Sequence, residues 1–512
     1  MSKHSHVSIT LDEVQGGSDK VGTVVDQQNM DRLGKTQELR RNFRFISVLG
    51  FTAVLMCTWE AILFTASYIL PNGGRAGMVW MYVICLFGFG LAILSMAEMA
   101  SMAPTSGGQY RCPSSVHAVA NGSSATSAVL GWQVNIASGC YLVTLQLQGI
   151  IALNDSAYVP QPWHGTLMII AVATLAIVFN TFFAKRLPLI EGLVLIIHVF
   201  GFFAILIPLW VLSPIQPAKE VFTSFTSAYG WPSQGLACLV GIVGPMYSLL
   251  GPDSAVHMSE EIRDASRVLP LAMMWTLIIN GTTGFIMVVT FAFCLPDRLV
   301  TGNPAYFFAY IDTFYNATGS IAAASVMTAL IATLCLCSTI SAVATSSRQM
   351  FAFARDGGLP FSAFLCRVRP GWDIPLNAVV VSFVITCLLS LINLGSAVAF
   401  NAIASLTVGA ILSSYIISIS CVLLRRIRKD RPLPSKRWSL GAAAVPMNIG
   451  AILFLIVVYF FTFWPLVNQP TLAYMNWSSA MYGGTVIFAV VYFLIWGRKT
   501  YSGPVVLVKQ EY

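Results

Sequence analysis

The sequence predicts an all-α integral membrane protein, a bundle of twelve transmembrane helices, and three observations predict it. Charged residues make up 10% of the 512 residues and hydrophobic residues 56%, with a mean hydropathy of +0.74. A soluble domain carries about 25% charged residues, so this chain cannot cover a water-facing surface. Twelve apolar runs each approach the roughly 20 residues that a helix needs to cross the hydrocarbon core. The basic residues, finally, gather in alternate loops. Together these exclude a soluble enzyme, a nucleic-acid binder and a disordered protein. The net charge of +8 matters less than where the charges lie.

The runs cover residues 47–70, 76–100, 126–153, 165–184, 189–213, 235–257, 270–296, 319–345, 376–396, 400–424, 447–468 and 476–497. Residues 1–45 are polar, hold Asp12, Glu13, Asp19 and Asp26, and read as a disordered cytoplasmic tail. They contain no apolar core near Met1, so the first span serves as its own insertion signal. Spans 1–10 form a core over 46–424, followed by a basic loop at 425–446, spans 11 and 12 over 447–497, and a short cytoplasmic tail at 498–512.

Orientation follows from lysine and arginine in the short loops. With the N-terminus in the cytoplasm, the inner segments hold Lys35, Arg40, Arg41, Arg44, Lys185, Arg186, Arg263 and Arg267. They also hold Arg348, Arg355, Arg367 and Arg369 after span 8, the Arg425–Arg437 cluster, and Arg498 with Lys499. Of 29 basic residues, Arg75, Lys219 and Arg298 fall outside. Losing or adding one span scrambles this segregation, so it supports twelve spans with both termini inside. The sequons at Asn154, Asn316 and Asn476 fall on the outer side and agree.

Ionisable groups inside the apolar runs are the next signal. A charged side chain at mid-membrane costs at least about 2.5–3.5 kcal/mol and persists where it faces a cavity or a partner. Glu60 lies in the middle of span 1, within Cys57-Thr58-Trp59-Glu60, and Asp253 lies in span 6, within Gly251-Pro252-Asp253-Ser254. Glu98 sits near the end of span 2, where it meets interfacial water, and Glu191 opens span 5, at a helix N-terminus. Gly251-Pro252 predicts a broken helix, because proline lacks the backbone donor and glycine lowers the cost of unusual angles. Broken helices free main-chain groups at mid-membrane and mark the binding site of many secondary transporters. Freed N–H groups suit a carboxylate, and freed carbonyls suit an ammonium. Trp59 is placed to gate such a pocket or to stack on a cation.

No nucleophile–base set, metal-ligand cluster or phosphate-binding loop appears, so neither an enzyme nor an ATP-driven pump is expected, and no cofactor or metal. The eleven cysteines are scattered through apolar runs and read as packing residues. No span carries the repeating polar stripe of a channel.

Several strings resemble fungal amino-acid permeases of the amino acid–polyamine–organocation superfamily, in the branch of GABA and choline permeases. They are Cys57-Thr58-Trp59-Glu60-Ala61, Ala97-Glu98-Met99-Ala100-Ser101 with Pro104 through Tyr110, and Leu130-Gly131-Trp132-Gln133. Gly251-Pro252-Asp253 through Glu261 with Pro270, and Ser347-Arg348 through Pro360, complete the set. The likeness runs from about residue 45 to 497. It implies a LeuT-like five-plus-five inverted repeat with spans 11 and 12 added outside, and a substrate site at unwound parts of spans 1 and 6. By motif, Cys57, Thr58, Trp59, Glu60, Gly251, Pro252, Asp253 and Ser254 hold the substrate, and the basic stretch after span 8 forms an inner gate. The implied function is secondary transport of amino acids or related small amines, GABA and choline among them, by alternating access in the plasma or vacuolar membrane. Many relatives couple uptake to protons, and Glu60 is the candidate for the protonated group. A nutrient receptor that binds without net transport is the alternative; the tail of about 45 residues is short for one.

One stretch departs from the pattern. Residues 111–128 read RCPSSVHAVANGSSATSA where the family has a tryptophan-containing, amphipathic lead into span 3. PSSVHAVANGSSATS can be encoded by codons that, in a shifted frame, read EFGPRSCQRFLSYIS, which resembles the missing segment. The expectation is a frame-shifted stretch from a misplaced splice boundary. Sequencing the transcript should return the second frame; a message matching this chain makes the polar segment real.

Overall fold

The computed structural model describes residues 22–108, 118–302, 304–368, 374–395, 399–429, 432–472 and 474–501. Asp12, Glu13, Asp19, residues 109–117 and Arg369 lie outside them. Among the described residues, ten helices are long and apolar enough to cross a membrane.

The first of these, Phe45–Met102, covers two of the expected spans and is interrupted twice. Helix α1 (Phe45–Met56) ends at Cys57, which has φ 48° and ψ 41°. Helix α2 (Thr58–Met102) then kinks at Gly74, φ 66° and ψ −161°, three residues after Pro71. Gly74 is required there by space as well as by angle, because a Cβ would stand 3.0 Å from the Ser224 carbonyl oxygen. Helices α3 (Ala118–Asn154), α4 (Pro162–Phe182) and α5 (Leu187–Leu212) follow. The segment expected as span 6 is three short helices, α6 (Gln234–Val240), α7 (Val243–Tyr247) and α8 (Ser254–His257), with residues 248–253 non-helical between the last two. Then come α9 (Ala265–Cys294), α10 (Ile321–Arg355), α11 (Leu376–Ser390), α12 (Ala399–Arg428), α13 (Ala444–Thr462) and α14 (Ser478–Tyr492).

The expected bounds shift where charge is satisfied inside the fold. Helix α10 runs ten residues past the expected end at 345, so Arg348 and Arg355 ride on the helix and not in a following loop. Both are held by carboxylates. Arg348 Nε donates to Glu261 at 2.8 Å, and Arg355 donates through both terminal nitrogens to Glu260 at 2.7 and 2.9 Å. The stretch expected to be disordered is ordered from residue 22 on. Helix Val24–Arg32 precedes a segment whose Leu39, Arg41 and Phe43 are buried. Asp26 accepts from the backbone N–H groups of Asp264 and Ala265 at 2.9 and 3.1 Å and so caps α9. Arg41 donates to the carbonyls of Ser259 and Ile262, and Phe43 forms a parallel bridge with Ile262. Burial lowers the Arg41 pKa from its usual value, against the pull of Asp26 and Glu260.

Lys35 with Asp356, Glu98 with Arg426 and Lys436, and Arg437 with Asp264 extend this into one ionic network at the basic end of the bundle. Glu98 is 1% exposed, so it meets cations and not interfacial water. Residues 118–128 of the divergent stretch open α3. There Ser124 Oγ meets the hydroxyls of Ser414 and Ser418 at 3.2 and 3.0 Å. Beside them, Gly122, Ser123, Thr126 and Ser127 help to line a cavity of about 330 Å³ against α14 and Tyr501. Small residues stand here where the shifted reading supplies phenylalanine, leucine, tyrosine and isoleucine.

Breaking a buried ion pair from one side costs about 3–5 kcal/mol, because the other charge stays buried. Glu260→Ala is therefore expected to lower the melting midpoint in detergent more than Glu260→Ala combined with Arg355→Ala, measured by thermal unfolding of the purified protein.

Candidate substrate site

The two interruptions touch. Gly251 has φ 127°, and a Cβ on it would lie 2.8 Å from Leu55 Cδ2 and 3.2 Å from Met56 Cα. The break in the first helix therefore abuts the break in the second through backbone, and glycine makes the approach possible. Pro252 contributes no N–H to continue the helix, and the chain resumes at α8 with Ser254 N–H bonded to the Gly251 carbonyl at 2.9 Å.

Each break leaves main-chain groups without helical partners. Some are capped from neighbouring helices. Asn280 Nδ2 donates to the Ala53 carbonyl at 2.8 Å, and Ser338 Oγ donates to the Leu55 carbonyl at 2.7 Å. On the other side of Cys57, α2 begins with Thr58, Trp59 and Glu60 in its first turn. The amides of a first helical turn have no carbonyl before them and carry the positive end of the helix dipole.

Between the breaks lies a cavity of about 40 Å³, with Leu55, Met56, Cys57, Leu250 and Gly251 in its wall. Phe64, Trp132, Tyr247, Asn135, Cys335 and Ser338 are also part of the wall, and among the described residues no charged side chain lines it. The Cys57 and Cys335 sulfurs meet at 3.9 Å across it. One water-sized space takes about 10–15 Å³, so this volume suits a few non-hydrogen atoms beyond those the walls already touch.

The expected site residues divide. Cys57 and Gly251 line the cavity. Thr58 is buried with its methyl against Gly284. Trp59 faces α5, its ring 5.9 Å from both His198 and Phe202. Glu60 turns the same way, and His198 Nδ1 stands 2.7 Å from its Oε1. Pro252 and Ser254 are buried beside the break. Asp253 lies 3.6 Å from His257 Nε2 and next to Tyr415, and His257 packs edge-on against Trp132 at 5.7 Å. Neither intramembrane carboxylate lines the cavity. Each instead has a histidine beside it.

Sequence reasoning missed His198. It stands alone in an apolar run, Leu195-Ile196-Ile197-His198-Val199-Phe200; an ionisable residue inside a span is itself the signal that a partner exists. Glu191 does not sit in the first turn of its helix. It is the fifth residue of α5, buried, and accepts from Ser341 Oγ at 2.6 Å.

A sequence model of the amino acid permease family matches residues 43–491. The chain belongs to this family. It is 26% identical over 510 residues to an uncharacterized amino-acid permease of Schizosaccharomyces pombe, covering 95% of this chain and 86% of that protein. It is 28% identical over 479 residues to a choline transporter of Saccharomyces cerevisiae, covering 90% and 83%. Against amino-acid permease 2 of Neurospora crassa the identity is 26% over 491 residues, covering 93% and 88%. The protein is thus a transporter and not an enzyme, and the permease family accounts for the run of apolar helices.

Gly251 offers the sharpest test of the two-break geometry. In Gly251→Ala the methyl meets the Met56 backbone at a φ that side chains rarely adopt, a strain of order 1–3 kcal/mol. Uptake is expected to fall at least about fivefold, by the 1.4 kcal/mol-per-decade relation, while membrane abundance stays within twofold of wild type on immunoblots.

Proposed function

We propose that this permease is a secondary active carrier of amino acids or related small amines, moved by alternating access and driven by protons. The observation that carries the reading is the contact of two interrupted helices at a buried cavity. Main-chain dipoles there are the charges available to the substrate, since among the described residues the cavity wall has no ionic side chain. A substrate carboxylate is matched by the first-turn amides at Thr58–Glu60 and an amine by carbonyls at the end of the preceding half-helix. Phe64, Trp132 and Tyr247 add aromatic surface that suits an alkylammonium group. GABA and choline are the named members of this class.

The same reading makes twelve spans of the ten long helices. The kink at Gly74 divides Phe45–Met102 into two, and the interrupted segment 234–257 counts as one. Spans 1 and 6 are then the broken members of two inverted five-span halves. The basic loops place both termini in the cytoplasm. The ionic network that joins Lys35, Glu98, Glu260, Glu261, Arg348, Arg355, Asp356, Arg426 and Lys436 is then the candidate inner gate. The plasma membrane is the expected site.

The test is uptake of labelled amino acids, GABA and choline in cells expressing the full chain, with unlabelled competitors and with or without a proton uncoupler. Saturable uptake of a subset, reduced several-fold by the uncoupler, is expected. Uptake that ignores the uncoupler removes proton coupling from the reading, and an absence of any saturable uptake removes transport of this class.

A further inference from the structure

Glu60 and His198 form an isolated ionisable pair, fully buried at 0% and 2% exposure. Glu60 is the third residue of α2, in the turn that starts at the Cys57 break. Its charge therefore sits at the positive end of the helix that restarts at Cys57, and Cys57 and Ala61 on either side of that first turn line the cavity. His198 comes from α5, and its Nε2, like the Nε1 of Trp59, has no hydrogen-bond partner among the described residues. The other titratable groups nearby are the Cys57 thiol, which lies against Glu60, the Cys335 thiol across the cavity, and the phenols of Tyr247 and Tyr310 close to them. They are thiols and phenols, residue types whose ordinary pKa values lie above neutral pH. Glu191, two turns before His198 on α5, is occupied by Ser341. So among the described residues neither group has a further ion-pair partner, and the charge of the pair is set by its own protons.

That isolation has a consequence for the site. With one shared proton the pair is neutral overall. With none it is a bare carboxylate at the helix terminus, where it repels a second carboxylate and competes with it for the same dipole. We infer that His198 and Glu60 together hold the transported proton, and that protonation of this pair is what admits a substrate carboxylate to the first-turn amides of α2. The inference rests on the carrier reading above and names the coupling site within it. One proton enters from water with one carboxylate on the open side, and both leave on the other. Because coupling is reciprocal, substrate also tightens the hold on the proton. His198 acts through Glu60, as a positioning and proton-holding residue.

The test uses the full chain in cells and labelled GABA and L-alanine, with KM measured between pH 5 and pH 8. In the wild type KM should rise with pH. His198→Gln removes the partner of a fully buried carboxylate, and burial favours the protonated form, so KM should stay low across the range, about tenfold or more below the wild-type value at pH 8, within the usual 5–150-fold span of coupling. Glu60→Gln removes the competing charge, so KM should lose its pH dependence and uphill accumulation should stop. Glu60→Gln added to His198→Gln should change KM no further, since the two side chains act as one unit. A purely structural role for His198 predicts a lower surface abundance with the wild-type pH profile kept. Unaltered pH profiles in both single variants, or a His198→Gln profile parallel to that of the wild type while the variant is present at the cell surface, would overturn the inference and leave the carrier reading standing. Uptake confined to choline, which has no carboxylate, would overturn it too. No uptake of any panel member by the wild type overturns the carrier reading itself.

Discussion

The backbone contact between Gly251 and Met56 is the constraint on which the site depends. Two helices can stop inside an apolar bundle only if their freed N–H and C=O groups find partners or line a cavity. Here the breaks meet each other, and some of the freed groups are capped from neighbouring helices. Asn280 and Ser338 hold two carbonyls of the first break, and the restarted helix opens with amides that have no carbonyl before them. The conformations differ by residue type for a physical reason. Gly251 adopts φ 127°, which excludes side chains, whereas Cys57 sits in the left-handed region that other residues reach at a small cost. Cysteine there places a thiol in the cavity wall, so the strain also delivers a small polarizable group to the site.

Charge in this protein is kept away from the hollow. The carboxylates at the basic end are paired with guanidinium and ammonium groups drawn from three distant parts of the chain. Glu60 and Asp253, deep in the bundle, each have a histidine beside them. If this cavity holds the substrate, as proposed, a wall of main-chain dipoles, thiols and aromatic rings would discriminate by shape and by the placement of a zwitterion's two ends. A fixed carboxylate in the wall would instead have selected for net charge. This is consistent with a family whose relatives carry names as different as amino-acid permease and choline transporter.

What could be read in the sequence followed from signals local to a few residues. Twelve apolar runs located the helices to within a few residues in most cases, and Gly251-Pro252 announced its own break. The Cys57 break had no such mark, because neither glycine nor proline stands there, and it came only with the family resemblance. Long-range pairing was invisible. Arg348 and Arg355 look like loop cations after span 8, and only the fold brings Glu260 and Glu261 to them and lets the helix continue. Asp26 reads as a tail residue until it caps a helix some 240 residues away. His198 sits in a span with no polar neighbour in sequence, and its role depends on Glu60 arriving from another helix.

The same logic explains why the side chains expected to bind substrate turned elsewhere. Thr58, Trp59 and Glu60 occupy the first turn of a helix, and their amides and side chains point in different directions. A motif records residue types, but at a broken helix the useful atoms are the backbone N–H groups, which any residue but proline supplies. The side chains are then free for second tasks, with Trp59 packing on Phe202 and Glu60 meeting His198. Placing the carboxylate in the first turn couples those tasks to the site without putting it in the wall. Whatever changes the charge on Glu60 changes the potential at the amides beside it, over a distance of a few ångströms in a medium where such interactions are strong. Moving Glu60 one turn further along would weaken that influence, since the terminal field falls off within the first turn.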